Sequence, residues 1–273
     1  MMNRMKILFT AAMLYSIQPG SGKAHAGGST GETRDYVVLL HGLGRTSFSM
    51  KRLEWALQRA NYRVVNLAYP STRLSIEDIA NRWLDERLRE RIPEPNARIN
   101  WVTHSLGGIV VRQYLSNHPL ERLGRVVMLA PPNQGSELAD RLKNKWLYRL
   151  LTGPSGQELG TDAAGVPKRL GPARFELGVI AGDRSLNPLF SSWIPGASDG
   201  KVSVRSTRLD GMRDFLVVHH SHTWIAWNRQ VTTAVVRFLQ TGNFRPGSDQ
   251  GWQDFNATNG PAPRPRARDG GRG

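Results

Sequence analysis

The sequence predicts an α/β domain of three layers around a mostly parallel sheet, and three observations lead there. β-rich runs alternate with helical patterns from residue 36 to residue 240, the rhythm of strands joined by helical crossovers. Several runs are apolar at every position, as in Val126-Val127-Met128-Leu129, which suits strands covered on both faces. At 273 residues and 39% hydrophobic, the chain is long enough to bury one sizeable core.

The first strand is read from the run Tyr36-Val37-Val38-Leu39-Leu40, and a helix at about 48 to 59 follows. A second strand at 62 to 67 leads to a helix at about 76 to 91. A third strand at 98 to 102 feeds a helix at 106 to 117, read from the spacing of Leu106, Ile109, Val110, Val111, Tyr114 and Leu115. His118, before Pro119, ends that helix at the surface. Strands at 125 to 130, 174 to 180 and 215 to 218 follow, and a helix at about 224 to 239 closes the domain.

Between Pro131 and Pro172 the rhythm breaks. Residues 137 to 151 form an amphipathic stretch with Leu138, Leu142, Trp146, Leu147, Leu150 and Leu151, and a Gly/Pro-rich loop follows. An insertion there lies over the C-terminal ends of the strands, where open α/β sheets bind ligands, so residues 133 to 173 are either a short cap or an ordinary packing helix with a surface loop.

The chain's two ends read differently. Residues 1 to 26 have a positive start at Arg4 and Lys6, an apolar run from 7 to 17 and the small-x-small step Ala24-His25-Ala26, as in an export signal. The expected mature protein is therefore periplasmic or extracellular, with its folded domain at 27 to 242. Residues 243 to 273 are rich in Gly, Pro and Arg and are expected to stay disordered. With no cysteine, neither a disulfide nor thiolate chemistry is available. The formal net charge of +15 stays strongly positive without Arg4, Lys6 and Lys23. It suggests either solvated helix faces or attraction to anionic membrane surfaces. Nucleic acid is not an expected partner, because no recognition motif accompanies the charge.

The chemistry concentrates at Thr103-His104-Ser105-Leu106-Gly107, where a strand, a one-residue bend and a helix meet. That bend lifts a serine hydroxyl above the sheet, so Ser105 is the expected nucleophile. Acyl transfer also needs a base, a group that fixes the base, and donors for the developing oxyanion. The base should come from Val218-His219-His220-Ser221-His222-Thr223-Trp224, and His222 is preferred because it sits latest in the loop, beside the last helix. For the acid, Asp183 directly follows an apolar strand and Asp199 sits on a turn, and chemistry alone leaves both open. No carboxylate lies near the histidine cluster at a metal-ligand spacing, so neither a metal nor an organic cofactor is expected.

Residues 36 to 240 resemble the bacterial lipase and esterase branch of the α/β hydrolases, and are similar to small secreted triacylglycerol lipases. The resemblance rests on His41-Gly42-Leu43-Gly44, His104-Ser105-Leu106-Gly107-Gly108, Asp199 in Ser-Asp-Gly-Lys-Val, and Arg208-Leu209-Asp210-Gly211 leading to His222. It implies a three-layer α/β-hydrolase fold with Asp199 as the acid and His222 as the base, Asp183 becoming the reserve. It also implies an oxyanion hole at the backbone N–H groups of Leu43 and Leu106, with Gly42, Gly44 and Gly107 allowing close approach. His41 then either orients the oxyanion loop or caps its strand, and His104 is a wall residue. One departure is Thr103, which stands where this branch has Gly or Ala and is expected to crowd the bend. The implied function is hydrolysis of a small-molecule or lipid ester. The alternatives are acyl transfer by the same residues, or a silent hydrolase fold that binds lipid or an envelope partner.

Overall fold

A computed structural model describes residues 35–118, 121–186 and 192–246. The expected export signal at 1 to 26 lies outside the described residues.

Among the described residues, six strands form a single parallel sheet: β1 Tyr36–Leu40, β2 Arg63–Leu67, β3 Ile99–His104, β4 Leu123–Leu129, β5 Leu177–Gly182 and β6 Asp214–Val218, in the order β2-β1-β3-β4-β5-β6. The inner strands β1, β3 and β5 are buried at every position, which is why β1 and β5 show no polar alternation, while β3 also buries Asn100, Thr103 and His104. The edge strands β2 and β6 carry partly exposed positions and admit Arg63, Asn66 and Asp214.

Two cores cover the sheet's faces. One gathers Val38, Leu40, Trp101, Val126 and Met128 under the helical stretch after β2 and the helix Leu106–Asn117. The other gathers Val37, Leu39, Val102, Val127 and Leu129 under the helices Lys51–Arg59 and Arg229–Thr241. Three layers result, as the alternating pattern predicts. The stretch after β2 is not a uniform α-helix: Ile76–Asp78 and Asp85–Arg91 flank a π-helical turn, Ile79–Leu84, which carries Trp83.

Several boundaries differ from the sequence reading. β3 runs on to His104, so the bend falls at Ser105 itself. β5 starts only at Leu177; the side chain of Glu176, just before it, pairs with Arg125 and Arg213. The last helix starts at Arg229, capped by the Asn228 side chain, after a separate 3-10 turn at Ile225–Trp227. The expected disordered tail at 243 to 273 lies, from 247 on, outside the described residues. Asn243 and Phe244 are buried, and the Phe244 ring packs 4.8 Å from that of Phe238.

The insertion after β4 holds the helices Glu137–Leu142, Trp146–Gln157 and Val166–Arg169. Trp146–Gln157 kinks at Gly153, whose φ is 61°, just before Pro154. Its roots are fixed: Ser155 Oγ donates to the Leu74 carbonyl, and Ile76 N–H donates to Glu158. Yet Trp146, Leu147, Leu150 and Leu151 are 75%, 50%, 70% and 64% exposed. Leu138, at the start of the same stretch, is buried, so its first part packs on the domain while these four side chains face outward.

Candidate active site

All six strands run parallel, so the loops at their C-terminal ends meet at one edge of the sheet, where open α/β sheets place their ligands. Ser105 stands there with φ 53° and ψ −121°, a conformation that costs a non-glycine residue about 1–3 kcal/mol and is held only by its surroundings. Ser105 N–H donates to the Leu129 carbonyl at 2.8 Å, and the Ser105 carbonyl accepts from Gly108 N–H at 2.9 Å. The next helix presses on β1 so closely that a Cβ at Gly107 would lie 2.7 Å from the Leu40 carbonyl oxygen. Only glycine fits at that position.

Thr103 does not crowd the bend. It is fully buried and in register with Leu40 on one side and Met128 on the other, so the sheet continues undisturbed through it. The cost falls on its hydroxyl, which has no hydrogen-bond partner among the described residues.

The structure brings Ser105, His222 and Asp199 together. His222 Nε2 lies 3.0 Å from Ser105 Oγ, and His222 Nδ1 lies 2.7 Å from Asp199 Oδ2. A carboxylate can only accept, so Nδ1 carries the proton and Nε2 offers its lone pair to the serine hydroxyl. Asp199 is fixed in turn: its Oδ1 accepts from the N–H groups of Lys201 and Val202, and its backbone carbonyl accepts from His222 N–H. Asp199, His222 and Ser105 are 2%, 5% and 9% exposed, so this chain of hydrogen bonds is shielded from water.

The other histidines take separate places. His104 is buried beside the serine, and its Nε2 donates to the His222 carbonyl at 3.0 Å, which ties the base's loop to the bend. Desolvation, with help from the nearby His222 and Lys201, holds its pKa well below the usual histidine value, so the ring is neutral. His41 lies under the loop Gly42-Leu43-Gly44, where its Nδ1 donates to the Gly42 carbonyl and its ring stacks on Tyr69 at 4.3 Å. Burial lowers its pKa as well. His118 closes its helix by donating from Nδ1 to the Tyr114 carbonyl.

Asp183, the reserve acid, points elsewhere and pairs with the exposed His219 at 2.9 Å. Gly42 faces the bend so tightly that a Cβ there would lie 2.9 Å from His104 Nδ1 and 3.2 Å from Ser105 Cβ. That closeness brings the Leu43 loop beside the serine. Neither Leu43 N–H nor Leu106 N–H finds a hydrogen-bond partner among the described residues.

Sequence reasoning missed Arg112. Buried in the helix after the bend, its guanidinium donates to the carbonyls of Asn133, Pro167 and Gly171 and to the Asn133 side chain. Among the described residues no carboxylate pairs with it, and burial pulls its pKa down to about 10. It joins the serine's helix to both roots of the insertion. The signal was its place on the apolar side of a helix otherwise free of charge.

Solved structures similar to this chain include a lipase of Bacillus licheniformis, BlEst2 in its mature form, at 19% identity and a TM-score of 0.59 over 78% of this chain and 93% of that one. Phospholipase PlaB of Legionella pneumophila is similar at 18% identity and a TM-score of 0.61, over 82% of this chain and 64% of that one. A metagenomic carboxyl esterase, MGS0156, is similar at 20% identity and a TM-score of 0.55, over 70% of this chain and 65% of that one. These likenesses establish the α/β-hydrolase fold. No curated protein matches the chain in sequence. The family described as a domain of unknown function, DUF7379, matches residues 14–169, more than half of the chain, and the chain belongs to that family.

Proposed function

We propose that this protein is a serine ester hydrolase in which Ser105 is the nucleophile, His222 the general base and Asp199 the group that orients it. The observation that carries the reading is the buried chain from Ser105 Oγ to His222 Nε2 at 3.0 Å and from Nδ1 to Asp199 at 2.7 Å. Its support from relatives is the fold shared with proteins named as lipases, a phospholipase and a carboxyl esterase.

The reaction follows from the geometry. Ser105 Oγ attacks the ester carbonyl while its proton passes to Nε2, and the carbonyl oxygen becomes an oxyanion facing the N–H groups of Leu43 and Leu106. The tetrahedral intermediate collapses, the ester C–O bond breaks, and the imidazolium returns its proton to the departing alcohol. Water then attacks the acyl-serine with His222 again as base, releasing the acid and restoring Ser105. Asp199 holds Nδ1–H throughout and stabilises the imidazolium.

The substrate class that fits is an amphiphilic ester met at a lipid surface. Trp146, Leu147, Leu150 and Leu151 give the insertion an outward apolar face, flanked by Lys145 and Arg149. This is the composition of a helix that lies in the headgroup layer of an anionic bilayer. With the export signal read at residues 1 to 26, that surface belongs to the cell envelope.

The test is hydrolysis of p-nitrophenyl esters, from acetate to palmitate, by the chain lacking residues 1 to 26, beside Ser105→Ala. Turnover that disappears in the variant supports the reading, and the preferred chain length then separates esterase from lipase. Turnover that survives in Ser105→Ala refutes it. Absence of turnover on every ester moves the weight to acyl transfer with a specific acceptor, or to a silent binding protein.

A further inference from the structure

Three cations of the helical stretch after β2 have acidic partners: Arg82 pairs with Asp78, Arg87 with Glu90 and Arg89 with Asp85. The cations on the loops around the serine are placed differently. Arg45, on the loop that carries Leu43, reaches across to the histidine loop, where its guanidinium donates to Thr223 Oγ1 at 3.2 Å. Among the described residues it has no carboxylate partner. Lys201, two residues after Asp199, is largely buried, and its ammonium group likewise has none among the described residues. Asp199 spends its oxygens on backbone N–H groups and on His222 instead. Desolvation, helped by repulsion from Arg45, lowers the lysine's pKa against the opposing attraction of Asp199.

Arg45 also lines a cavity of about 440 Å³ next to the oxyanion loop, where a third cation joins it. Arg45 and Arg73 line it, with Ser71, Thr46, Tyr69 and Trp83, and no acidic residue is in its wall. Its two arginine-bearing loops are joined: Gly44 N–H donates to Ser71 Oγ at 3.1 Å, and Arg73 N–H donates to the Pro70 carbonyl. Ser155 and Glu158 of the insertion hold the same segment from the other side, at Leu74 and Ile76. Trp83 reaches the cavity from the π-helical turn, a distortion often found at functional sites. Like charges gathered on braced loops without counter-ions cost energy that an anion would return.

We infer that the ester hydrolysed here carries an anionic group, a phosphate or a carboxylate, which sits in this cavity between Arg45 and Arg73, with Lys201 reinforcing the field. The inference rests on the ester-hydrolase reading and narrows its substrate. Arginine suits the role, because its planar fork matches phosphate and carboxylate oxygens.

The test compares kcat/KM within two pairs of esters of equal acyl length. One pair is p-nitrophenyl hydrogen adipate against p-nitrophenyl hexanoate, with a carboxylate on the acyl side. The other is monolauroyl glycerol phosphate against monolauroyl glycerol, with a phosphate on the alcohol side. The expected result is a preference for the anionic member of one pair, reduced about tenfold by Arg45→Gln and by Arg73→Gln, as for loss of one charged hydrogen bond. The pair that shows it identifies the source of the anion. Arg87→Gln, the same change of charge on a paired outer residue, keeps the preference. Equal turnover within both pairs overturns the inference, as does a preference that Arg87→Gln abolishes equally. Either result leaves Ser105-dependent hydrolysis of the neutral esters standing. If no ester is turned over and Ser105 also resists a fluorophosphonate, the hydrolase reading falls and the inference falls with it.

Discussion

Around Ser105 the working side chains are buried and tied together, whereas along Trp146–Gln157 four large apolar side chains stand in solvent. In the first region the strained bend, the imidazole and the carboxylate are over-determined by hydrogen bonds to Leu129, Val202 and His104. In the second, the insertion is tied to the domain at Leu74, Ile76, Arg112 and Ser203, while the stripe itself stays uncovered. The difference separates two tasks. Positioning reacting atoms demands rigidity at the strand ends, and meeting a varied amphiphilic substrate demands surface that the fold leaves uncovered.

The largest effect expected from breaking the first region is chemical. Asp199→Asn should lower kcat by about 10⁴, the loss seen when a triad loses its orienting acid. Asp183→Asn, which removes only an exposed contact to His219, should change kcat less than about twofold, because exposed ion pairs are worth little. Steady-state kinetics on one soluble ester checks both, and the reverse ranking would sink the assignment of the acid.

Next in size is the joint between the regions. Arg112→Met would strand the carbonyls that the guanidinium now satisfies, at a cost of about 2–4 kcal/mol. For a domain of this size that is a fall in Tm of about 5–15 °C. Calorimetry reads it, and an unchanged Tm would mean that the insertion is held without this cation.

The smallest expected effect on stability belongs to the exposed stripe. Leu150→Ser with Leu151→Ser should move the unfolding free energy by less than about 1 kcal/mol, since surface changes are individually within about 0.5 kcal/mol. The same pair should lose sedimentation with phosphatidylglycerol vesicles. Vesicle binding that survives would remove the lipid-surface reading.

How much of this was legible in the sequence follows the same division. β1 and the Val126–Leu129 part of β4 were readable because a strand covered on both faces is apolar throughout, and Ser105 because strand, bend and helix adjoin in the chain. Asp199 was reached by resemblance. Chemistry left it level with Asp183, since both lie between Ser105 and His222 and only the tertiary path decides which one meets the imidazole. Arg112 went unread because one arginine in a helix pattern looks like a solvated position. The exposed stripe was ambiguous because an apolar face has the same spacing whether it packs or waits for a partner. Thr103 was misjudged: the sheet accommodates its methyl and leaves only the hydroxyl unpaired.

The central claim, that Ser105 is a poised nucleophile, is tested most directly by fluorophosphonate labelling followed by intact-mass and peptide analysis, because only an activated serine reacts. The account expects one adduct per chain, located on Ser105, absent in Ser105→Ala and strongly slowed in Asp199→Asn. An unlabelled wild-type chain, or an adduct on another residue, would contradict it.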